Sequence, residues 1–512
     1  MNQKKAGVIL SYISEAIKIL TSLLYTPIML RLLGQSEYGL YQLVHSVVSY
    51  LGLFSLGFTS AYVRYFSLAK AKGSEEDVAK LNGMFMTIFL IIAGIAASCG
   101  GVMVHNIRAV FGTGLTDQEY VKARSLMILM VFNLSVSFPN SVFNCIISAH
   151  ERFFFQRMLT ILQNLLNPFL TLPLLLMGYG SVGIVLVTTA ITLAKLAVDM
   201  WFVFRRLHAR FVFHGFNFYL VKDIWSFTFF IFLNQIINQI NWNVDRFLLG
   251  RMIGTAAVAV YGLGAQINTM YLQFSTAISS VFVPQINRMV AGHNDNHELS
   301  KLFSKVGRIQ FMLLGLIMSG FIFTGRTFMR LWGGSAAYEE SYYVALLLIV
   351  PVTVPLIQNL GIEIQRAKNM HQTRSIVYAC IAILNIFVSI PLVHAYGPCG
   401  AAIGTAFSLI IGNVVFMNWY YATQIGLEIM EFWKNILSIT PALILPIILG
   451  LIMISSFHVR SFGSITLFAI FYTVTYCISL WIWGLNTEEK KIIGKLTQNI
   501  MRRFHDHNQK QK

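Results

Sequence analysis

Along most of the chain apolar residues run in stretches of about twenty, separated by short polar segments. Fourteen such stretches fall near residues 8–31, 38–63, 83–104, 121–147, 154–177, 181–204, 223–248, 256–284, 304–326, 341–363, 373–395, 399–422, 433–456 and 463–485. Each is long enough to cross a hydrocarbon layer of ~30 Å as a helix rising ~1.5 Å per residue. Backbone polar groups inside lipid must pair within their own segment, and no run alternates as barrel strands do. The pattern predicts an all-α polytopic membrane protein with about 14 transmembrane helices.

The seventh stretch departs from the rest. Phe229–Gly250 (FFIFLNQIINQINWNVDRFLLG) has apolar ends and a middle crowded with amides. On a helical wheel Asn234, Asn238, Asn241 and Asp245 share a sector roughly 60° wide. Gln235, Gln239, Trp242 and Arg246 form the adjoining stripe, and Leu233, Ile236, Ile237, Ile240 and Val244 lie opposite. An unpaired amide against lipid costs a few kcal/mol, so the polar face looks at other helices or at water. One or two amides suffice to join helices, whereas this many point to a hydrated cavity that holds a polar ligand.

The first stretch carries a similar face. Ser11, Glu15, Lys18, Ser22 and Tyr25 follow i, i+4, i+7, i+11 and i+14. Glu15 and Lys18 sit within the span, where a lone charge costs about 2.5–3.5 kcal/mol. One reading neutralises them against each other at i, i+3; the other gives Lys18 an anion to bind and Glu15 a coupling ion. Lys195 and Asp199 form a second intramembrane pair at i, i+4.

The two faces are related by an internal repeat of about 217 residues. Leu32-Leu33-Gly34 answers Leu248-Leu249-Gly250, and Tyr179-Gly180-x-x-Gly183 answers Tyr396-Gly397-x-x-Gly400. The shared order and offset indicate a duplicated six-helix unit. An even number of helices per copy predicts two lobes of parallel topology, residues 1–210 and 211–427, around a central site. Residues 428–512 add two further helices and a basic tail.

Composition agrees: 56% of the 512 residues are hydrophobic and 12% are charged, with mean hydropathy +0.65. The net charge of +17 would suit nucleic acid, but its placement does not. With a cytoplasmic amino terminus, 27 of the 38 Lys and Arg fall on the inner side and nine on the outer. That bias sets orientation and predicts both termini in the cytoplasm. The MNQKK start is read as the flank of a retained first helix, not as a cleaved signal. The five cysteines stand singly, without metal spacing, and His293 and His297 have no third ligand nearby. No P-loop, HExxH or GxSxG occurs, so neither ATP-driven transport by this chain alone nor a familiar hydrolase is indicated. No catalytic residue, metal or cofactor is predicted.

The run Leu23–Ala61 (LLYTPIMLRLLGQSEYGLYQ…), Asn241–Gly264 (NWNVDRFLLGRMIGTAAVAVYGLG) and Ile362–Ser375 (IEIQRAKNMHQTRS) resemble the polysaccharide-biosynthesis flippases. These form the O-antigen and exopolysaccharide branch of the multidrug/oligosaccharidyl-lipid/polysaccharide (MOP) exporter superfamily. The resemblance implies a bacterial inner-membrane flippase that moves undecaprenyl-pyrophosphate-linked oligosaccharide outward by alternating access. Its partners would be that lipid-linked glycan, membrane lipid, and the polymerase and glycosyltransferases of the same synthesis. Lys18, Ser22, Tyr25, Asn234, Gln235, Asn238, Gln239, Asn241 and Arg246 are the expected substrate-binding residues. Glu15 and Asp245 are the candidates for a coupling ion, Na+ or H+. A cation-coupled multidrug antiporter of the same superfamily and a non-transporting scaffold for envelope synthesis are the competing readings.

Overall fold

A computed structural model describes residues 3–491 apart from 56–57, 72–74, 216–217, 293–294, 369, 371 and 457–459. The expected tail beyond 491, His293, and the side chains of Asn234 and Asn238 lie outside the described residues. Regular structure among the described residues is entirely helical.

In chain order the helices begin with α1 (Gln3–Leu51), α2 (Phe58–Ala71), α3 (Glu75–His105), α4 (Ile107–Phe111) and α5 (Asp117–Ala149). Next come α6 (Phe153–Leu176), α7 (Gly180–Arg205), α8 (Phe218–Met252), α9 (Thr255–Ser280) and α10 (Val283–Ala291). They continue with α11 (Asn296–Gly333), α12 (Glu340–Ile357), α13 (Asn359–Ala367) and α14 (Gln372–Leu409). The last are α15 (Met417–Tyr420), α16 (Ile429–Leu437), α17 (Pro441–Ser456) and α18 (Phe462–Ser479).

Ten helical runs among the described residues are long and apolar enough to cross a bilayer, against the fourteen expected. Two of them, Ile13–Ser55 and Thr373–Ile425, are 43 and 53 residues long, and each covers two predicted stretches. The chain bends inside them at Gly34 (φ 75°) and Gly397 (φ 57°). Helices α8 and α9 cover the seventh and eighth stretches and are not among the ten. Gly180, 217 residues before Gly397, has φ 56°. Both positions need the left-handed backbone that a side chain disfavours.

The chain packs as two compact units. The first comprises Met1–Met270, Trp332–Leu348 and His371–Gly412. One core in it joins α1, α5, α8, α9 and α14 through Leu43, Val47, Leu126, Leu249, Val258 and Ala401. A second joins α2, α3, α5 and α7 through Tyr62, Phe85, Phe89, Phe143 and Val203. The other unit comprises Tyr271–Leu331, Ile349–Met370 and Asn413–Lys512. Within it the Tyr271 hydroxyl lies 2.8 Å from Thr353 Oγ1, and Gln310 donates to Ser275. Tyr476 donates to the Met312 carbonyl.

Large apolar side chains cover the outside. Phe169 and Phe387 are each 70% exposed and Leu467 is 71% exposed, which suits acyl chains and not water. Where lipid is as apolar as leucine, cohesion comes from close packing and interhelical hydrogen bonds, and the polar contacts gain weight.

Candidate functional site

Within the first unit, α1, α6, α7, α8 and α9 line an open cavity of about 640 Å³. Lys18, Ser22 and Tyr25 line it from α1, and Arg246 lines it from α8. Gln266 on α9 ties the wall together: its Nε2 donates to Ser22 Oγ (2.7 Å) and Thr26 Oγ1 (2.8 Å). Tyr38 in turn donates to Gln266 Oε1 at 3.5 Å and accepts from Gln42 Nε2 at 2.8 Å. Gln163, Asn164 and Asn167 of α6 and Thr188 and Thr192 of α7 also line the cavity. The lining carries two cations and no carboxylate among the described residues.

The remaining sequence candidates part company. Gln235 accepts from Ser55 at 3.5 Å, and Gln239 donates to Ser49; both join α8 to the end of α1 and its following turn. For these two amides the interhelical role holds. Asn241 is half-buried and is not part of the cavity wall. Asp245 turns the other way, fully buried, into the packing of α8 against α9 and α14. Its Oδ2 accepts from Tyr261 (2.5 Å) and Thr405 (2.6 Å), while Oδ1 has no protein partner among the described residues. Asn385 and Ser389 extend that cluster: Asn385 Nδ2 donates to Thr405 (3.4 Å), and Ser389 donates to Asn385 Oδ1 (3.0 Å).

Glu15 is exposed, lies outside the cavity wall, and forms no ion pair with Lys18 among the described residues. The mutual neutralisation that one reading gave them at i, i+3 does not form; Lys18 belongs to the cavity wall. The Lys195–Asp199 pair does form at 3.0 Å, with Asp199 fully buried. Asn144 completes it, donating to Asp199 Oδ2 (3.2 Å) and accepting from Lys195 (3.1 Å).

The α6 amides and Gln42 were not among the expected site residues. Gln163, Asn164 and Asn167 follow i, i+1, i+4, the same amide spacing that singled out the seventh stretch.

The cavity is braced at the end predicted to face outward. Glu119 Oε1 accepts from Ser36 and from Thr255, each at 2.6 Å. Glu37 binds Lys122 at 2.8 Å and accepts from the Ser181 backbone at 2.7 Å. These bonds join the α1 bend to the starts of α5, α7 and α9.

Bilayer-length helices around a polar cavity are the architecture of a multi-pass membrane transporter, and solved structures share the fold. The lipid II flippase MurJ in an inward closed conformation superposes with TM-score 0.72 at 15% identity, over 93% of this chain and 98% of that one. An inward-facing multidrug resistance MATE family transporter of the MOP superfamily gives 0.64 at 14% identity, over 83% and 99%. A family model described as polysaccharide biosynthesis protein matches residues 5–290, more than half of the chain, and the chain belongs to that family. The putative O-antigen transporter of Shigella flexneri is 19% identical over 398 residues, 76% of this chain and 90% of its own length. The uncharacterized membrane protein EpsK of Bacillus subtilis (strain 168) is 20% identical over 500 residues, 94% and 95% of the two chains.

Proposed function

We propose that the protein is a flippase that carries an oligosaccharide linked to polyprenyl pyrophosphate across the cytoplasmic membrane. The observation that carries this reading is the 640 Å³ cavity, with Lys18 and Arg246 set among amides and hydroxyls. Amides and hydroxyls match sugar hydroxyls, and the two cations match a pyrophosphate. In a cavity walled by protein their charge-assisted bonds exceed those made in water. The tail stays in hydrocarbon while the glycan crosses, and the two lobes open the cavity to each side in turn.

Asp245 is the coupling carboxylate in this account. Its carboxylate is linked through Thr405 to Asn385 and Ser389, a set of oxygen donors with one negative charge. That set suits Na+, and the carboxylate alone suits a proton. A coupling ion here would bias how α8 packs on α14, and α8 carries Arg246 into the cavity. The multidrug antiporter reading stands second, since cationic drugs favour a carboxylate in the cavity. The scaffold reading has no use for a polar cavity at all. Deleting the gene should leave lipid-linked oligosaccharide accumulating on the inner leaflet, with drug tolerance unchanged. Unchanged lipid-linked pools together with a loss of drug tolerance would overturn the assignment.

A further inference from the structure

A second cavity, of about 330 Å³, lies at the opposite end of the first unit from the Glu119 brace. Four segments meet there: the end of α2, the start of α3, the turn after α5 and the extended chain after α7. All four belong to the connections that the positive-inside bias assigns to the cytoplasm. Lys70, His150, His208 and Arg210 line the cavity against one carboxylate, Glu75.

The pocket is held in shape. Buried Asn82 accepts from Tyr62 at 2.6 Å and donates to the Arg210 carbonyl at 2.9 Å, which fixes the chain that carries Arg210. Val212 N donates to the Ala79 carbonyl at 3.0 Å. Gly83 permits this approach, because a Cβ there would sit 2.0 Å from the Val212 oxygen. The two non-glycine residues with left-handed backbone among those described are Glu151 (φ 56°) and His208 (φ 50°). One adjoins His150 and the other forms the wall; strain of this kind, of order 1–3 kcal/mol each, collects at binding sites. Phe66 supplies an apolar side, with Lys70 Nζ 5.8 Å and the His150 ring 5.0 Å from its centroid. Burial holds the His150 imidazole below its usual pKa, as do the Lys70 and Arg152 charges, against the opposing bond to the Ile146 carbonyl.

We propose that this pocket binds the phosphate of an anionic lipid headgroup at the cytoplasmic surface, as a site separate from the central cavity. At ~30 Å³ per water it holds the volume of roughly ten waters, enough for a phosphate or pyrophosphate but not for an oligosaccharide. The cations meet the phosphate, and Val78 and Leu207 in the wall meet the first carbons of a lipid chain. An isoprenoid pyrophosphate and a bulk phospholipid both offer this chemistry.

The test uses the full chain in nanodiscs of phosphatidylcholine, with Lys18→Gln and Arg246→Gln already present. This background removes the central cavity's cations, so the outcome is independent of whether the transport reading holds. Equilibrium binding of radiolabelled farnesyl pyrophosphate should weaken at least tenfold when Lys70→Gln and Arg210→Gln are added. Lys70→Arg with Arg210→Lys should restore it, which separates lost charge from lost fold. Displacement of the probe by phosphatidylglycerol at matching concentration supports the site and assigns it to bulk anionic lipid. Failure of phosphatidylglycerol to compete supports it as a site for the isoprenoid carrier. Absence of binding, or an affinity within twofold after the Gln substitutions, overturns the proposal. Equal competition by inorganic pyrophosphate also overturns it, by removing the lipid from the interaction.

Discussion

Arg308 offers the sharpest test of how the last helices are attached. Its guanidinium binds Glu489 through Nε (2.8 Å) and Nη2 (2.9 Å). Nη1 donates to the Asn435 carbonyl (2.6 Å) and Ser438 Oγ (2.7 Å), and Nη2 also donates to the Gly484 carbonyl (2.8 Å). One residue of α11 thereby fastens the end of α16, the turn after α18 and the segment beyond. The pair is buried, with side-chain exposures of 6% and 12%. Arg308→Met leaves a buried carboxylate and two carbonyls without their donor, and removing one partner of such a pair costs about 3–5 kcal/mol. Replacing both partners by Met should recover most of that loss. Burial works against ionisation of Glu489, but the bonds from Arg308 prevail and hold its pKa below the usual carboxylate value. A lowered folded pKa gives stability that is present above the unfolded value and is lost as pH falls through the folded one. The wild type should therefore lose this contribution below about pH 4.5, and Arg308→Met should show a smaller step, because the Asn486 amide and Lys305 still favour the Glu489 carboxylate. Denaturant unfolding in detergent micelles, followed by tryptophan fluorescence at several pH values, measures both. A loss under about 1 kcal/mol for Arg308→Met, or the same acid step in the variant, would refute the clamp.

Other expectations follow from the first unit. Lys195→Met leaves Asp199 buried with only Asn144 as donor and should cost about 3 kcal/mol in the same unfolding assay; a neutral effect would remove the cluster's structural role. Gly180→Ala forces about 1–2 kcal/mol of backbone strain and sets a Cβ 2.1 Å from Glu37 Oε1, whereas Gly397→Ala meets its first neighbour at 3.7 Å. The first should therefore melt lower than the second, and equal melting would contradict this. In a cysteine-free background, Gln163→Cys and Asn167→Cys should react with a hydrophilic thiol reagent while Phe169→Cys should not. Equal labelling at all three would remove the cavity wall assigned to α6.

Much of this was legible in the chain. Apolar length marked the helical membrane class, and helical periodicity picked out Lys18, Ser22, Tyr25 and Arg246, which the fold brings to one cavity. The same periodicity grouped Gln235, Gln239, Asn241 and Asp245 with them, yet none of these lines the cavity. A wheel tells which residues share a face, not which neighbour that face meets. On α8 the polar sector is wide enough to serve α1, the cavity, and the α9–α14 packing at once. The α6 amides were missed because proline and leucine surround them, so their stripe is short. The span count was blurred where a glycine bends a continuous helix, as at Gly34 and Gly397, since no polar loop separates the two halves.

In the proposed function the cations of this cavity carry a pyrophosphate-linked glycan across the bilayer. Its most direct measurement is translocation of a fluorescent undecaprenyl-pyrophosphate oligosaccharide in proteoliposomes, read by quenching from outside with a membrane-impermeant reductant. The wild type should exchange the label between leaflets well above the protein-free rate. Lys18→Gln with Arg246→Gln should return exchange to that rate while the protein stays folded. Exchange no faster than in empty liposomes for the wild type, or undiminished in the double variant, would contradict it.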